Sequence, residues 1–213
     1  MENWPNISGI NMKNGFTLIE IIVSVAIFTV VMTVTMGALL TLNDSSRKAQ
    51  ALRTVIDNLN FSLEDMNRKV RTGDNYQCFV LPSDVIDTIT QKITDCPGGG
   101  GQAVLLRTQE MFDDTHPLWI VYMFDVDAAG KGSIYLRSGT EDGGQIHLVP
   151  GKFAITAPQV DVRRAEFRVV GAESHVPKTK PMIIVNIAGV VDLAKEKLRT
   201  DFSLQTAISQ RGI

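Results

Sequence analysis

Apolar positions along this chain fall into three regimes. From Phe16 to Leu42 they are nearly continuous: 27 residues, with Glu20 the one charge. A helix of that length rises about 40 Å, more than the roughly 30 Å hydrocarbon core of a bilayer. The run has no proline and one glycine, Gly37. Val, Ile and Thr are frequent in it, but a single segment in lipid must bond its own backbone and is therefore helical. The first regime thus predicts a membrane-spanning helix.

From Asn43 to Thr72 the chain turns polar and keeps a helical rhythm. Leu52, Ile56, Leu59, Leu63, Met66 and Val70 recur at steps of four and three, while Arg53, Asp57, Asp65, Arg68 and Lys69 take other faces. No proline interrupts Phe16 to Thr72, and Gly73 is a natural stop. The pattern predicts one continuous helix of 57 residues, about 85 Å long, whose second half buries its stripe. A dimeric coiled coil is the rival use of that stripe.

Beyond Gly73 the period changes. Asp74 to Gln102 reads as a connector, with both cysteines, two prolines, a short helix at Val85 to Ile93 and a flexible run Gly98-Gly99-Gly100-Gly101. The rest reads as strands: 103–108, 118–126, 133–137, 145–149, 153–156, 160–170, 182–191 and 201–208. Strands without helical spacers form a mainly antiparallel sheet. The expected class is α+β, one long helix on such a sheet.

Composition narrows the function. The net charge of -2 offers no electrostatic footprint for nucleic acid. Cys78 and Cys96 fit either a disulfide in an oxidising compartment or two buried thiols, and neither lies at metal-ligand spacing. Asp125-Val126-Asp127-Ala128-Ala129-Gly130 has the opening of a calcium loop, but Ala129 stands where an oxygen donor belongs and no glutamate closes it. A hairpin turn accounts for the same residues. His116, His147 and His175 are scattered, and Asp113-Asp114 and Glu141-Asp142 read as solvated turns. No nucleophile motif and no P-loop appears, so no enzyme and no cofactor is expected.

The entry to the apolar run carries a more specific signal. Gly15-Phe16-Thr17-Leu18-Ile19-Glu20 followed by an apolar helix resembles the class III signal of type IV pilins and type II secretion pseudopilins. The resemblance implies the pilin fold. It also implies cleavage by a prepilin peptidase between Gly15 and Phe16, and methylation of the new Phe16 amine. Independently of the family, Glu20 lies four residues after Phe16 and so on one helix face with it. It could neutralise its own chain's amine or a neighbour's, and the second would link subunits. An ordinary signal anchor, with Glu20 reaching to the headgroups, is the alternative. The polar leader 1–14 has one cation, Lys13, and offers Met12 as a second start. Arg47, Lys48 and Arg53 outnumber it across the run, which by itself would leave the C-terminal side in the cytoplasm. Long domains cross regardless of such flanks, and the cysteine pair favours the outside.

Thr200 to Arg211 resembles the last strand and tail of minor pilins and pseudopilins. The resemblance implies a leader at 1–15, a membrane or filament-core half-helix at 16–42, an amphipathic half at 43–73 and a β-rich extracytoplasmic domain at 74–213. The expected protein is a non-enzymatic, minor subunit of a type IV pilus or pseudopilus. Its partners are other pilin subunits, the peptidase, an inner-membrane assembly platform and lipid. It would start in the bacterial inner membrane and end in a surface pilus or periplasmic pseudopilus. The alternative is a single-pass anchored binding or sensor protein.

Overall fold

The computed structural model describes residues 15–173, 180–191 and 199–211. It divides into two compact units, Met1–Arg47 and Lys48–Ile213. The predicted long helix is present as α1, Leu18–Thr72. It starts two residues later than the pattern suggested, because Thr17 caps it. Thr17 Oγ1 accepts the Glu20 amide at 3.4 Å, and the Thr17 carbonyl accepts the Ile21 amide at 3.3 Å.

In the second unit the α1 stripe is buried through Val55, Leu59, Met66 and Val70, with Leu52 and Leu63 partly buried. Ile56, expected in the stripe, is 45% exposed. A step of three from Leu52 reaches Val55 and a step of four reaches Ile56. At 3.6 residues per turn both are open, and packing selected the smaller side chain. Gly73 does end the helix, but no left-handed backbone requires glycine there, since its φ is not positive. A β-carbon would sit 2.7 Å from the carbonyls of Arg107 and Lys69. Space, not backbone freedom, excludes a side chain.

The strands are β1 Asp74–Phe79, β2 Thr88–Thr90, β3 Ala103–Met111, β4 Pro117–Val126, β5 Gly132–Asp142, β6 Gln145–Leu148, β7 Phe153–Ala154, β8 Val160–Val170, β9 Met182–Val191 and β10 Thr200–Ser209. All pairings between them are antiparallel. The larger sheet runs β1-β3-β4-β5-β6-β2, with β7 also on β5. The smaller runs β10-β9-β8. Gly101 joins the two: its amide donates to Phe167 O at 2.8 Å, and the Phe167 amide returns to Gly101 O at 2.7 Å.

The region 74–102 is therefore not a plain connector. It holds β1, β2 and short 3-10 turns at Pro82–Asp84 and Pro97–Gly99, and the expected helix at 85–93 is absent. The reason lies in β3 and β4, whose apolar runs are buried on both faces. One face of the sheet, with Val104, Leu106, Ile120, Tyr122 and Phe124, packs in the same core as α1 and the smaller sheet. The other, with Ala103, Leu105, Trp119, Val121 and Met123, is covered by Val85, Ile89, Ile146 and Leu148. Covering that face takes an extended lid, so Val85 and Ile89 serve a core instead of a helix. Nor is the four-glycine run simply flexible. A β-carbon on Gly101 would meet Phe79 O at 2.2 Å and Cys78 Sγ at 2.8 Å.

Candidate functional site

The sequence places the candidate chemistry in the first unit. Gly15 and Phe16 precede α1 and its cap, Thr17, and nothing lies within 4 Å of where a Gly15 side chain would begin. Phe16 is 80% exposed. Thr17 was not singled out in the sequence, although Thr17-Leu18-Ile19-Glu20 has the spacing of a capping box. The structure forms its threonine half, with Thr17 Oγ1 holding the Glu20 amide. Glu20 is thus fixed in the first turn of α1, where the exposed amides favour a negative charge.

The helix beyond it is built for an apolar surround. Ser24, Thr29, Thr33, Thr35 and Thr41 each donate their hydroxyl to the carbonyl four residues earlier, at 2.7 to 3.0 Å. With Thr17 as cap, every hydroxyl of the run has a partner within the helix itself. That removes the cost of placing polar side chains in hydrocarbon. The large side chains Ile21, Val25, Phe28, Val31, Val34 and Leu39 are all more than half exposed. A helix apolar on every face needs an apolar surround, either lipid or other helices. By length and composition α1 can cross a membrane.

The second unit offers little rival chemistry. Among the described residues no three His, Cys, Asp or Glu side chains gather at a distance that would hold a metal. Asp125 pairs with Lys152. Burial pushes the Asp125 carboxyl up, but that ammonium and the Val126 amide hold it below the usual carboxylate range. Asp127 Oδ1 accepts the amides of Ala129 and Lys131, both at 2.9 Å. The residues that open a calcium loop in sequence thus close the β4–β5 hairpin. Asp113 accepts the Thr115 and His116 amides at 2.8 and 2.7 Å. The Thr115 bonds foremost hold its carboxyl far below the usual range. His147 lies on β6 beside Thr88, and His175 falls outside the described residues. Cys78 and Cys96 are joined in a disulfide, with Cα atoms 5.0 Å apart.

Comparison with known proteins picks out the same N-terminal stretch. Residues 10–36 match the family model described as the Prokaryotic N-terminal methylation motif. No curated protein and no solved structure matches the chain. The match begins before Gly15, takes in Glu20 and ends inside the apolar run. The chain therefore carries the N-terminal methylation signal of type IV pilins and pseudopilins, set on an apolar helix and followed in sequence by a β-rich unit.

Proposed function

We propose that the protein is a structural, minor subunit of a type IV pilus or type II secretion pseudopilus. Prepilin peptidase removes 1–15 by cutting between Gly15 and Phe16, and the Phe16 amine is methylated. The observation that carries this reading is the match at 10–36, at the start of a helix whose apolar side chains before residue 43 are exposed on every face. In this reading 16–42 lies first in the inner membrane and later in the filament core. Residues 43–73 and the β-rich part at 74–213 stand outside the cytoplasm, a placement that the Cys78–Cys96 disulfide supports, since such bonds persist in oxidising compartments. Neighbouring pilin subunits and the inner-membrane assembly platform are the partners.

Glu20 is the assembly residue. A charged side chain costs about 2.5 to 3.5 kcal/mol at the centre of a membrane helix, so a carboxylate in this run is kept for a task. Cutting after Gly15 creates an amine one turn away, the cation suited to neutralise it. If the amine comes from a neighbouring subunit, the pair also sets axial register.

Three variants test this. Gly15→Val should accumulate as uncut precursor. Glu20→Gln and Glu20→Val should insert and mature as wild type but fail to co-purify with partner subunits. Maturation of Gly15→Val at the wild-type rate would place the cut elsewhere. Wild-type co-purification of both Glu20 variants would make Glu20 a residue of a plain anchor, as in a membrane-bound receptor.

A further inference from the structure

In the second unit the outward face of α1 is polar, and one side chain breaks the pattern. Phe61 is 78% exposed, with Asp57, Glu64 and Arg68 exposed on the same side of the helix. A single exposed apolar residue is ordinary by itself. Here the same chain also has an open apolar groove of about 320 Å³ between α1 and the start of β10. Leu52, Val55, Ile56 and Leu59 line one wall, and Phe202 and Leu204 the other. Phe202 and Leu204 are only partly buried, and Ile56 is the exposed member of the α1 wall. The volume is at the low end for clefts that take a small molecule and suits one aromatic side chain. Phe61 comes five residues after Ile56, which turns it about 140° away round the helix. A chain therefore cannot fill its groove with its own Phe61. Asp57 lies one turn before Phe61, and Arg53 lies just before Val55 and Ile56. Both are exposed, and neither is in an ion pair among the described residues.

We propose that Phe61 of one copy seats in this groove of a second copy, with α1 running in the same direction in both. The proposal rests on the filament reading and deepens it by naming a neighbour and a contact. α1 is one helix from Leu18 to Thr72, so copies held by one membrane run it the same way. Bringing Phe61 level with Ile56 of the second copy advances that copy by five residues toward the C-terminal end of the helix, about 7.5 Å. A two-fold axis along the helices leaves two copies level and cannot make this offset. The contact is therefore head-to-tail, and it repeats from copy to copy. The same offset carries Asp57 of the first copy to within one residue of the height of Arg53 of the second, so two unpaired charges of opposite sign meet beside the seated ring. A pair between Glu20 and a neighbour's Phe16 amine advances the second copy in the same direction by four residues, about 6 Å. One displacement serves both contacts to within a residue.

The test uses the full chain in membranes of cells that have the peptidase and the other filament subunits, under mild oxidation. Phe61→Cys/Ile56→Cys should give a ladder of linked dimer, trimer and higher species on a non-reducing gel. Each single variant should stay monomeric, and the two single variants expressed together should stop at dimer. Within one chain the two β-carbons are roughly 10 Å apart by helix geometry, beyond the reach of a disulfide, so the bond must be between chains. The native cysteines are already joined to each other. A double variant that stops at dimer, or equal linking in the single variants, would overturn the head-to-tail contact. Linking to a different polypeptide would overturn self-contact and give the groove to another subunit. The N-terminal mass of the same sample separates this contact from the reading beneath it. A chain that begins at Phe16 and gives no linked species overturns the contact and leaves the filament reading standing. A chain that keeps residues 1–15 removes the filament reading, and the contact with it.

Discussion

Tyr76 and Tyr122 bury their hydroxyls in one core and meet different surroundings there. The Tyr76 hydroxyl donates to Val70 O at 2.7 Å and Gly73 O at 2.8 Å, capping carbonyls that the end of α1 leaves open. The Tyr122 hydroxyl is buried without a hydrogen-bond partner. Tyr76→Phe should therefore cost about 1 to 2 kcal/mol, whereas Tyr122→Phe should be neutral or stabilise by about 1 kcal/mol. Burial, then the Asp74 carboxylate, pushes the Tyr76 phenol up. Burial, then Asp65, does the same to Tyr122. An unfolded phenol ionises near pH 10. With both folded values raised, their contribution is whole below about pH 10 and is lost as pH rises above it. Urea midpoints at pH 8 and pH 11 should show the fall, and Tyr122→Phe should make it shallower. An equal fall in the variant would mean that Tyr122 ionises freely in the folded state. In the sequence, the methylation motif around Gly15, Phe16 and Glu20 was legible because its signal is local. The Thr17 cap was equally local and was passed over, since T-x-x-E lay inside a more specific pattern. The Tyr76 cap was not legible, because nothing local says which tyrosine faces a helix end.

Among the elements, α1 and the eight strands from β3 to β10 could be read from period and punctuation to within a few residues. β1 and β2 could not. Their residues are fixed by a face of the larger sheet that has no signature in their own sequence. The same holds for Gly101, whose task is set by Phe167 far along the chain. The disulfide is the covalent part of that region. Cys78 lies in β1, and Cys96, whose amide bonds β8, is 18 residues on. Closing such a loop contributes about 3 kcal/mol in the chain-entropy account. Cys78→Ser/Cys96→Ser should lower unfolding stability by about that amount. In hydrogen exchange the amides of Phe167 and Val169 should lose protection before those of central β9. Uniform loss across both sheets would show that the bridge acts on the unfolded chain alone and does not secure the β8 edge.

For the whole molecule, the α+β class followed from the change of period after Gly73. The division of the strands into two sheets did not, because strand order depends on long-range pairing. The methylation motif at the N-terminus was legible because its pattern lies in one short local stretch. The strands of the β-rich unit need only alternation, which many sequences share. The central claim, that this chain is processed into a filament subunit, makes a definite statement about its first residue. The most direct measurement is the intact and N-terminal peptide mass of the protein purified from the membrane of cells that have the peptidase. The account predicts a chain that begins at Phe16 with one added methyl group on its amine. A chain that retains Gly15 and the residues before it would contradict the account and leave a membrane anchor in its place.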